Sequence, residues 1–238
     1  MRYYYGEHEA AYRRLSEQGM SQWSDLFGDT EGFDAFPNRR FLEDALARLE
    51  LPSPAEVKVL EYGCGTGPAA CFLAARGFQV DAVDLIPEAI MLAQRFARER
   101  GLEVSFGVQD ICALADEPVS KWYDLIVDSY CLQSIVTDAD RARVFAAVRA
   151  RLKGNGYYLL STAMYEPQRK YEAGFRYDEA TGICYQEGAG PDAVEIDGVW
   201  YVPHRRHLSA TALRAELERA ELKVVSQDDG DLVCARSC

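Results

Sequence analysis

The chain has 238 residues, of which 48% are hydrophobic and 27% are charged, proportions that are ordinary for a folded protein. Its formal net charge of -12 argues against nucleic acid as a partner, because an acidic surface releases no counterions from a polyanion. Scattered charges near the N-terminus and the lack of a long apolar run predict neither a secretory signal nor a membrane span, so we expect a cytoplasmic protein.

The seven cysteines are dispersed and contain no CxxC pair. That spacing predicts neither a disulfide framework nor a structural zinc site, and we expect no metal. Most of the thiols are expected to be small buried side chains. A soft metalloid substrate held by several converging thiolates stays open as an alternative.

Residues 1–54 are predicted to form an N-terminal helical cap. Helical spacing runs from Glu7 to about Gln18, where Gly19 ends the helix. An aromatic-rich irregular segment follows, and Pro37 is expected to open a second helix. A proline-rich stretch then marks the entry to the core.

Residues 55–163 are predicted to form the core, in which strands and helices alternate. The first unit is a strand over 57–60, a loop over 61–67 with glycine at alternate positions, a helix over 68–76 and a strand over 78–83. Further segments are a helix over 87–101, a strand over 102–108, a strand over 123–128, a helix over 139–153 capped by Asp138, and a strand over 157–162. This alternation is typical of a parallel sheet covered by helices on both faces.

Residues 164–208 interrupt the alternation and are predicted to form a lid. Turn signals occur at 181–182, 188–191 and 197–198, and the Asp-Gly pair at 197–198 lies between two apolar runs, which predicts a tight hairpin. The lid is therefore expected to be a small antiparallel insertion over the carboxyl edge of the sheet. Residues 209–238 are predicted to add a helix and a closing β-hairpin to one single domain.

The loop between the first strand and helix carries the strongest chemical signal. Glycines let the backbone approach a ligand closely, and the helix start offers free N–H groups. Asp84, at the tip of the second strand, suits the two hydroxyls of a ribose. Glu61 leads into the loop, where a carboxylate would repel a pyrophosphate but would favour a ligand that carries an amine. A nucleotide-dependent oxidoreductase is the alternative, although the glycine spacing differs from the dinucleotide fingerprint.

These residues resemble the motifs of class I S-adenosylmethionine-dependent methyltransferases. Glu61-x-Gly63-x-Gly65-x-Gly67 matches the first motif of that family, and Asp84 matches its ribose-binding acid. The stretches 109–111 and 123–133 are similar to the motifs after the third strand and along the fourth. The resemblance implies a Rossmann-like, seven-stranded, mostly parallel sheet. It implies binding of S-adenosylmethionine by the following residues: Glu61, Gly63, Cys64, Gly65, Gly67, Asp84, Leu85, Gln109, Asp110, Ile111, Asp128 and Ser129.

Methyl transfer is an in-line displacement, so the protein mainly aligns the reactants and excludes water. A base is needed only where the nucleophile arrives protonated. The acidic charge, together with a cap and a lid on the two sides of the core, predicts a small-molecule acceptor with oxygen, nitrogen or sulfur as the nucleophile. A catalytically silent cofactor-binding protein on the same fold stays open. The candidate catalytic residues are Tyr130 and Gln133 after the fourth strand, and His204 and His207 in the lid. Gln133 stands where many small-molecule relatives carry histidine.

Overall fold

The computed structural model describes residues 2–27, 32–190 and 192–237. Its α-helices are α1 (Tyr5–Gln18), α2 (Arg39–Arg48), α3 (Pro68–Ala74), α4 (Pro87–Glu99), α5 (Asp138–Arg151) and α6 (Ala210–Arg219). Its strands are β1 (Lys58–Tyr62), β2 (Gln79–Asp84), β3 (Ser105–Val108), β4 (Tyr123–Ser129), β5 (Leu152–Ser161), β6 (Phe175–Asp178), β7 (Ile183–Glu187), β8 (Val194–Ile196), β9 (Val199–Arg206), β10 (Leu222–Asp228) and β11 (Asp231–Arg236). Two residues named in the sequence predictions, Pro191 of the second lid turn and the thiol Cys238, lie outside the described residues.

The main sheet has seven strands in the order β10-β11-β5-β4-β1-β2-β3. Strands β1 to β5 run parallel, and β11 is antiparallel to both of its neighbours, β5 and β10. The predicted α/β class and mostly parallel sheet are therefore confirmed. The chain order reverses between β1 and β4, and ligands of such sheets bind in the crevice beyond the carboxyl ends of strands at that reversal.

Both faces of this sheet are buried, as expected for parallel strands with helices on each side. Along β1, Leu60 and Tyr62 belong to one apolar cluster, whereas Val59 belongs to another on the opposite face. The same alternation continues in β4, where Ile126 packs in the first cluster and Val127 in the second. The two-sided burial fixes the register of the central strands, and with it the positions at which they end.

The insertion forms a second, antiparallel sheet with the strand order β6-β7-β9-β8. The predicted hairpin is present, because β8 and β9 are joined by Asp197 and Gly198 with φ values of 54° and 80°. Both values are those of a type I′ turn, which suits the twist of a two-residue hairpin. The prediction of a small antiparallel insertion is therefore confirmed.

Several predicted boundaries of helices and strands in the first half of the chain are wrong. Glu61 and Tyr62 belong to β1 and not to the loop, and α3 and α4 end at Ala74 and Glu99, before residues 76 and 101. Helix α2 begins at Arg39 and not at Pro37, because the Arg39 N–H first closes a turn with the carbonyl of Phe36 at 3.1 Å. Strand β3 begins at Ser105 and not at residue 102. The Leu102 N–H instead donates to the carbonyl of Ala97 at 3.0 Å and completes the end of α4.

The prediction for α5 is wrong at both ends. Thr137, not Asp138, caps the helix, since its hydroxyl accepts the Asp140 N–H at 3.2 Å. The helix ends at Arg151 because Leu152 already pairs with Tyr123 of β4 as the first residue of β5. Strand pairing here overrides the helical spacing that extended the prediction to residue 153.

Within the part of the chain that the structure describes, no helix is both long enough and apolar enough to cross a membrane.

Arg141 of α5 is buried, and it connects the turn after β4 to α6. Its guanidinium donates to both carboxylate oxygens of Glu216, at 2.7 and 2.6 Å, and to the carbonyls of Leu132 and Ile135 at 3.0 and 3.1 Å. The paired charges and the two carbonyls satisfy the guanidinium in an interior where an unpaired charge would be costly. The pair thus positions the turn that carries Gln133.

We predict that Arg141→Ala lowers the free energy of unfolding by about 3–5 kcal/mol, because the substitution leaves the partly buried Glu216 carboxylate and two buried carbonyls without their donor. Urea unfolding followed by circular dichroism measures the change. Arg149→Ala on the same helix is the matched control, since the Arg149 side chain is 41% exposed and pairs with Glu221 at the surface, where an ion pair contributes about 0–1 kcal/mol. Equal losses for the two variants would contradict the role assigned to Arg141.

Candidate functional site

A cavity of about 810 Å³ lies at the carboxyl edge of the main sheet, with walls from the cap, the core and the lid. Its volume falls within the range of small-ligand sites. The structure brings most of the predicted site residues to this cavity: Glu61, Gly63, Cys64, Gly65, Asp84, Leu85, Gln109, Asp110, Ile111, Ser129, Tyr130, Gln133, His204 and His207. Gly67 and Asp128 are the predicted residues that do not line it.

The loop after β1 requires glycine for two reasons. Gly63, Gly65 and Gly67 have φ values of 60°, 56° and 80°, which side-chain-bearing residues rarely adopt. A Cβ on Gly63 would also lie 2.3 Å from Sγ of Cys131, and one on Gly65 would lie 2.7 Å from the hydroxyl oxygen of Tyr12. The loop therefore packs closely against the turn after β4 and against the cap, and its backbone forms part of the cavity wall.

Gly67 and Asp128 do not line the cavity, but they stabilise the segments that form its wall. Gly67 stands just before α3, where a Cβ would meet Phe106 and Ala93 at 3.0 to 3.2 Å. Asp128 is fully buried, and its two oxygens accept the N–H groups of Cys131 at 2.6 Å and Leu132 at 3.1 Å. Burial raises the pKa of Asp128 to about 7. Direct cofactor contacts of these two residues stay predictions.

Asp84 connects the end of β2 to the glycine loop. Its Oδ2 accepts the Gly65 N–H at 2.9 Å, and its Oδ1 accepts the Ile86 N–H at 2.9 Å. Burial raises the pKa of this carboxyl to about 6, although the backbone donors oppose the shift. Each carboxylate oxygen keeps a second lone pair, so Asp84 is able to accept further hydrogen bonds from hydroxyls in the cavity.

Glu61 is fully buried and has one oxygen without a partner. Its Oε1 accepts the Ser129 hydroxyl at 3.0 Å, and that hydroxyl in turn accepts Nδ2 of Asn38 at 3.2 Å. Among the described residues, Oε2 of Glu61 and Oδ1 of Asn38 are both buried without a hydrogen bond. Burial raises the pKa of Glu61 from its ordinary 4.5 to about 8. Two adjacent acceptors of this kind fit the three N–H donors of an ammonium group.

Asp110 is held from the cap. Nε of Arg2 donates to its Oδ2 at 2.7 Å, and its Oδ1 accepts the Cys112 N–H at 2.9 Å. Arg2 also pairs with Asp140 of α5. The neighbouring Gln109 donates from Nε2 to Glu117 at 2.9 Å. These contacts place Asp110 in the wall, and its contact with an adenine amino group stays a prediction.

Tyr130 and Gln133 follow β4 at the cavity floor. Tyr130 has a φ of 65°, which is uncommon for an aromatic residue, and its N–H donates to the carbonyl of Ser161 at 2.9 Å. Strained backbone of this kind concentrates at ligand sites. Oε1 of Gln133 accepts the Ala163 N–H at 2.9 Å. This bond occupies the amide oxygen and leaves the Gln133 NH₂ group as the side chain's donor.

The lid contributes both of its histidines. Nε2 of His204 lies 3.4 Å from Glu7 of α1, which also receives two hydrogen bonds from Arg205 at 3.0 and 2.6 Å. His207 is buried, and its Nδ1 has no hydrogen-bond partner among the described residues. Burial lowers the pKa of His207 to about 4, so its imidazole is neutral at physiological pH.

Sequence reasoning missed several residues of the cap that line this cavity, among them His8, Tyr12 and Asn38. They belong to no local motif, and they reach the cavity through packing between distant parts of the chain. One signal was present in the composition, since His8 is one of just three histidines in the chain. All three of them line the cavity.

Comparison with known proteins agrees with this geometry. A family model described as "Methyltransferase domain" matches residues 59–156. The ubiquinone biosynthesis O-methyltransferase of Xanthomonas axonopodis pv. citri is 33% identical over 142 residues, which are 60% of this chain and 56% of that protein. The chain thus spans little more than half the length of the curated relatives it matches.

Two solved structures share the fold. A S-adenosylmethionine-dependent methyltransferase from Clostridium acetobutylicum has a TM-score of 0.67 at 16% identity, over 95% of this chain and 99% of that one. The glycopeptide N-methyltransferase MtfA, complexed with S-adenosylmethionine, has a TM-score of 0.59 at 21% identity, over 86% and 95% of the two chains. Residues 59–156 therefore match the methyltransferase domain family, and the chain has the Rossmann-like fold of these two methyltransferase structures.

We predict that Glu61→Gln stabilises the ligand-free protein at alkaline pH. Because the pKa of Glu61 is raised in the folded state, its carboxyl ionises at a lower pH in the unfolded chain than in the folded protein. The free energy of unfolding of the wild type therefore falls as the pH rises from 4.5 to about 8. Glutamine has no charge to bury, and it should raise the free energy of unfolding above that pH by about 2–4 kcal/mol.

Urea unfolding across this pH range measures the difference between the two proteins. Glu56→Gln is the matched control, because Glu56 is exposed and should leave the pH profile unchanged. A Glu61→Gln protein that is less stable than the wild type at alkaline pH would contradict the prediction.

Proposed function

We propose that the protein binds S-adenosylmethionine in the cavity and transfers its methyl group to a small-molecule acceptor. The observation that carries this proposal is Glu61, a fully buried carboxylate at the cavity wall with an unpaired oxygen. A buried acceptor without a partner is costly, and an ammonium-bearing ligand would satisfy it. The cofactor's amino acid portion carries such an ammonium.

The other wall residues fit the remaining parts of that cofactor. Asp84 would accept from the ribose hydroxyls, and Asp110 from the adenine amino group. The backbone of the Gly63–Gly67 loop would pass close to the ligand, because it carries no side chains at alternate positions. The methyl group itself supplies the electrophile when the cofactor is bound, and the chain's own residues bind, orient and exclude water.

A small-molecule acceptor is supported by the shape of the site. The cavity has walls from both the cap and the lid, and Glu7 of α1 joins these two segments by accepting two hydrogen bonds from Arg205 of β9. A macromolecular substrate would need a site that is less covered by such segments. The names of the relatives, a ubiquinone biosynthesis enzyme and a glycopeptide enzyme, agree with an acceptor of low molecular weight.

We also propose that the protein acts in the cytoplasm as one domain, with a cap (1–54), a cofactor-binding core (55–163), a lid (164–208) and a C-terminal helix and hairpin (209–238). Support for the compartment comes from the six described cysteines, all of which are free thiols. Support for a single domain comes from the cavity, whose walls draw on the first three segments.

We predict that the wild type binds S-adenosylmethionine and S-adenosylhomocysteine in isothermal titration, and that Asp84→Ala weakens both by about 10- to 100-fold. Loss of a carboxylate that accepts two ribose hydroxyls removes about 1.4–3 kcal/mol. Asp44→Ala, at an exposed position of α2, is the matched control. Absence of binding by the wild type, or tighter binding of NADH, would overturn the proposed function.

We predict that Asn38→Ala weakens S-adenosylhomocysteine about 10-fold in the same titration, because it removes one acceptor for the ammonium and the Ser129 contact that orients Glu61. Methylthioadenosine lacks the amino acid portion, so its affinity should not change. Asn155→Ala is the matched control, because Asn155 is exposed on β5. Equal weakening of both ligands would show that Asn38 acts on the general shape of the site and not on the ammonium.

A further inference from the structure

All three histidines of the chain line the cavity, although they come from α1 and from the region of β9. His204 lies near both of the others. Nε2 of His8 and Nδ1 of His207 are both buried and lack hydrogen-bond partners among the described residues. His8 packs against aromatic rings, with ring centroids 5.0 Å from Trp23 and 5.8 Å from Tyr4. A polar ligand in the cavity would satisfy such unpaired ring nitrogens.

Both imidazoles are neutral at physiological pH, so each keeps a free lone pair. Burial lowers the pKa of both His8 and His207 to about 4, and each is also near Arg205 and His204. Each neutral imidazole therefore offers one N–H donor and one lone pair. A hydroxyl group is the matching partner, because it donates one hydrogen bond and accepts others.

The charges around the two imidazoles differ. Arg205 lies near His8, but its charge is offset by the paired carboxylate of Glu7. Arg169 lines the cavity near His207 and forms no ion pair among the described residues. Its positive charge disfavours an ammonium-bearing acceptor and stabilises an anion that forms beside His207. Glu172 also lines the wall, at an exposed position.

We propose that the methyl acceptor is a hydroxyl compound, whose proton is accepted by His207 while His8 donates a hydrogen bond to its oxygen. This inference rests on the proposed function and assigns the oxygen class among its possible acceptors. Many small-molecule relatives carry histidine where this chain has Gln133. In this chain, His8 of the cap and His207 of the lid would supply the imidazoles instead.

The acceptor's O–H bond breaks, and its proton moves to Nδ1 of His207. An oxygen lone pair forms the new C–O bond to the methyl carbon, while the pair of the breaking C–S bond returns to sulfur and neutralises the sulfonium. The imidazolium then loses its proton to solvent, which its low pKa favours. Arg169 stabilises the negative charge that develops on oxygen before the C–O bond is complete.

The test uses two probes of nearly equal shape, 4-nitrophenol and 4-nitroaniline, which differ in their hydroxyl and amino groups. Both absorb visible light, so their binding to the full-length protein loaded with S-adenosylhomocysteine is measured by equilibrium dialysis, at a pH where the phenol is protonated. We expect 4-nitrophenol to bind about ten-fold tighter, the difference that one well-made hydrogen bond supplies. Equal affinities, tighter 4-nitroaniline, or no binding of either probe would overturn the inference.

His207→Phe keeps a planar ring and removes the unpaired nitrogen, so it should fold and should abolish the preference for 4-nitrophenol. His8→Phe should weaken 4-nitrophenol and leave 4-nitroaniline unchanged. Arg169→Gln, at an exposed position, should weaken the binding of 4-nitrophenolate, measured at a pH where the phenol is ionised, without affecting folding. Arg176→Gln is its matched control because Arg176 pairs with Asp197 outside the cavity. A preference that survives in His207→Phe would overturn the role of that residue.

S-adenosylhomocysteine affinity, measured first on every variant, separates the two levels of the proposal. Wild-type protein that fails to bind it overturns the proposed function, and this inference with it. Wild-type protein that binds it but does not prefer 4-nitrophenol overturns the hydroxyl acceptor alone.

Discussion

The structure depends on how it accommodates three carboxylates that the sheet buries at one edge. Glu61, Asp84 and Asp128 end β1, β2 and β4, and each is at least nine-tenths buried. An acid in such a place must either stay protonated or find donors. Asp84 and Asp128 find backbone N–H groups, and by accepting them they shape the glycine loop and the turn after β4. Glu61 keeps one oxygen without a hydrogen bond. At this edge of the sheet, that oxygen is therefore available to a ligand.

The parts of the chain outside the sheet complete this edge from two directions. The cap supplies Asn38 to the Ser129 hydroxyl and Arg2 to Asp110, and so it contacts core residues that line the cavity. The lid adds His207 and Arg169 to the cavity wall. Glu7 and Arg205 join cap to lid by a two-bonded ion pair. Because both segments contribute wall residues, the cavity is complete only when they are assembled on the core.

The local features of the fold and of the cofactor site could be predicted from the sequence. Alternate glycines, an acid before them and an acid at the next strand tip are short-range patterns, and the structure brings Glu61, Gly65 and Asp84 together around one cavity. Asn38 and His8 could not be found in this way, since their partners lie far along the chain. Helix α5 shows the same limit, because pairing of Leu152 with Tyr123 ends a helix that spacing alone extends further.

Gln133 is the core residue whose hydrogen bonding bears on the imidazoles of the cap and the lid. Its amide oxygen is occupied by the Ala163 N–H, so the turn after β4 offers a donor to the cavity and no proton acceptor from this side chain. The unpaired imidazole nitrogens are those of His8 and His207, which neither β4 nor its turn carries. Any proton removed from an acceptor by imidazole must therefore leave through the cap or the lid. The core contributes Glu61, Asp84 and Asp110 to the cavity wall, and the cap and the lid contribute its three imidazoles.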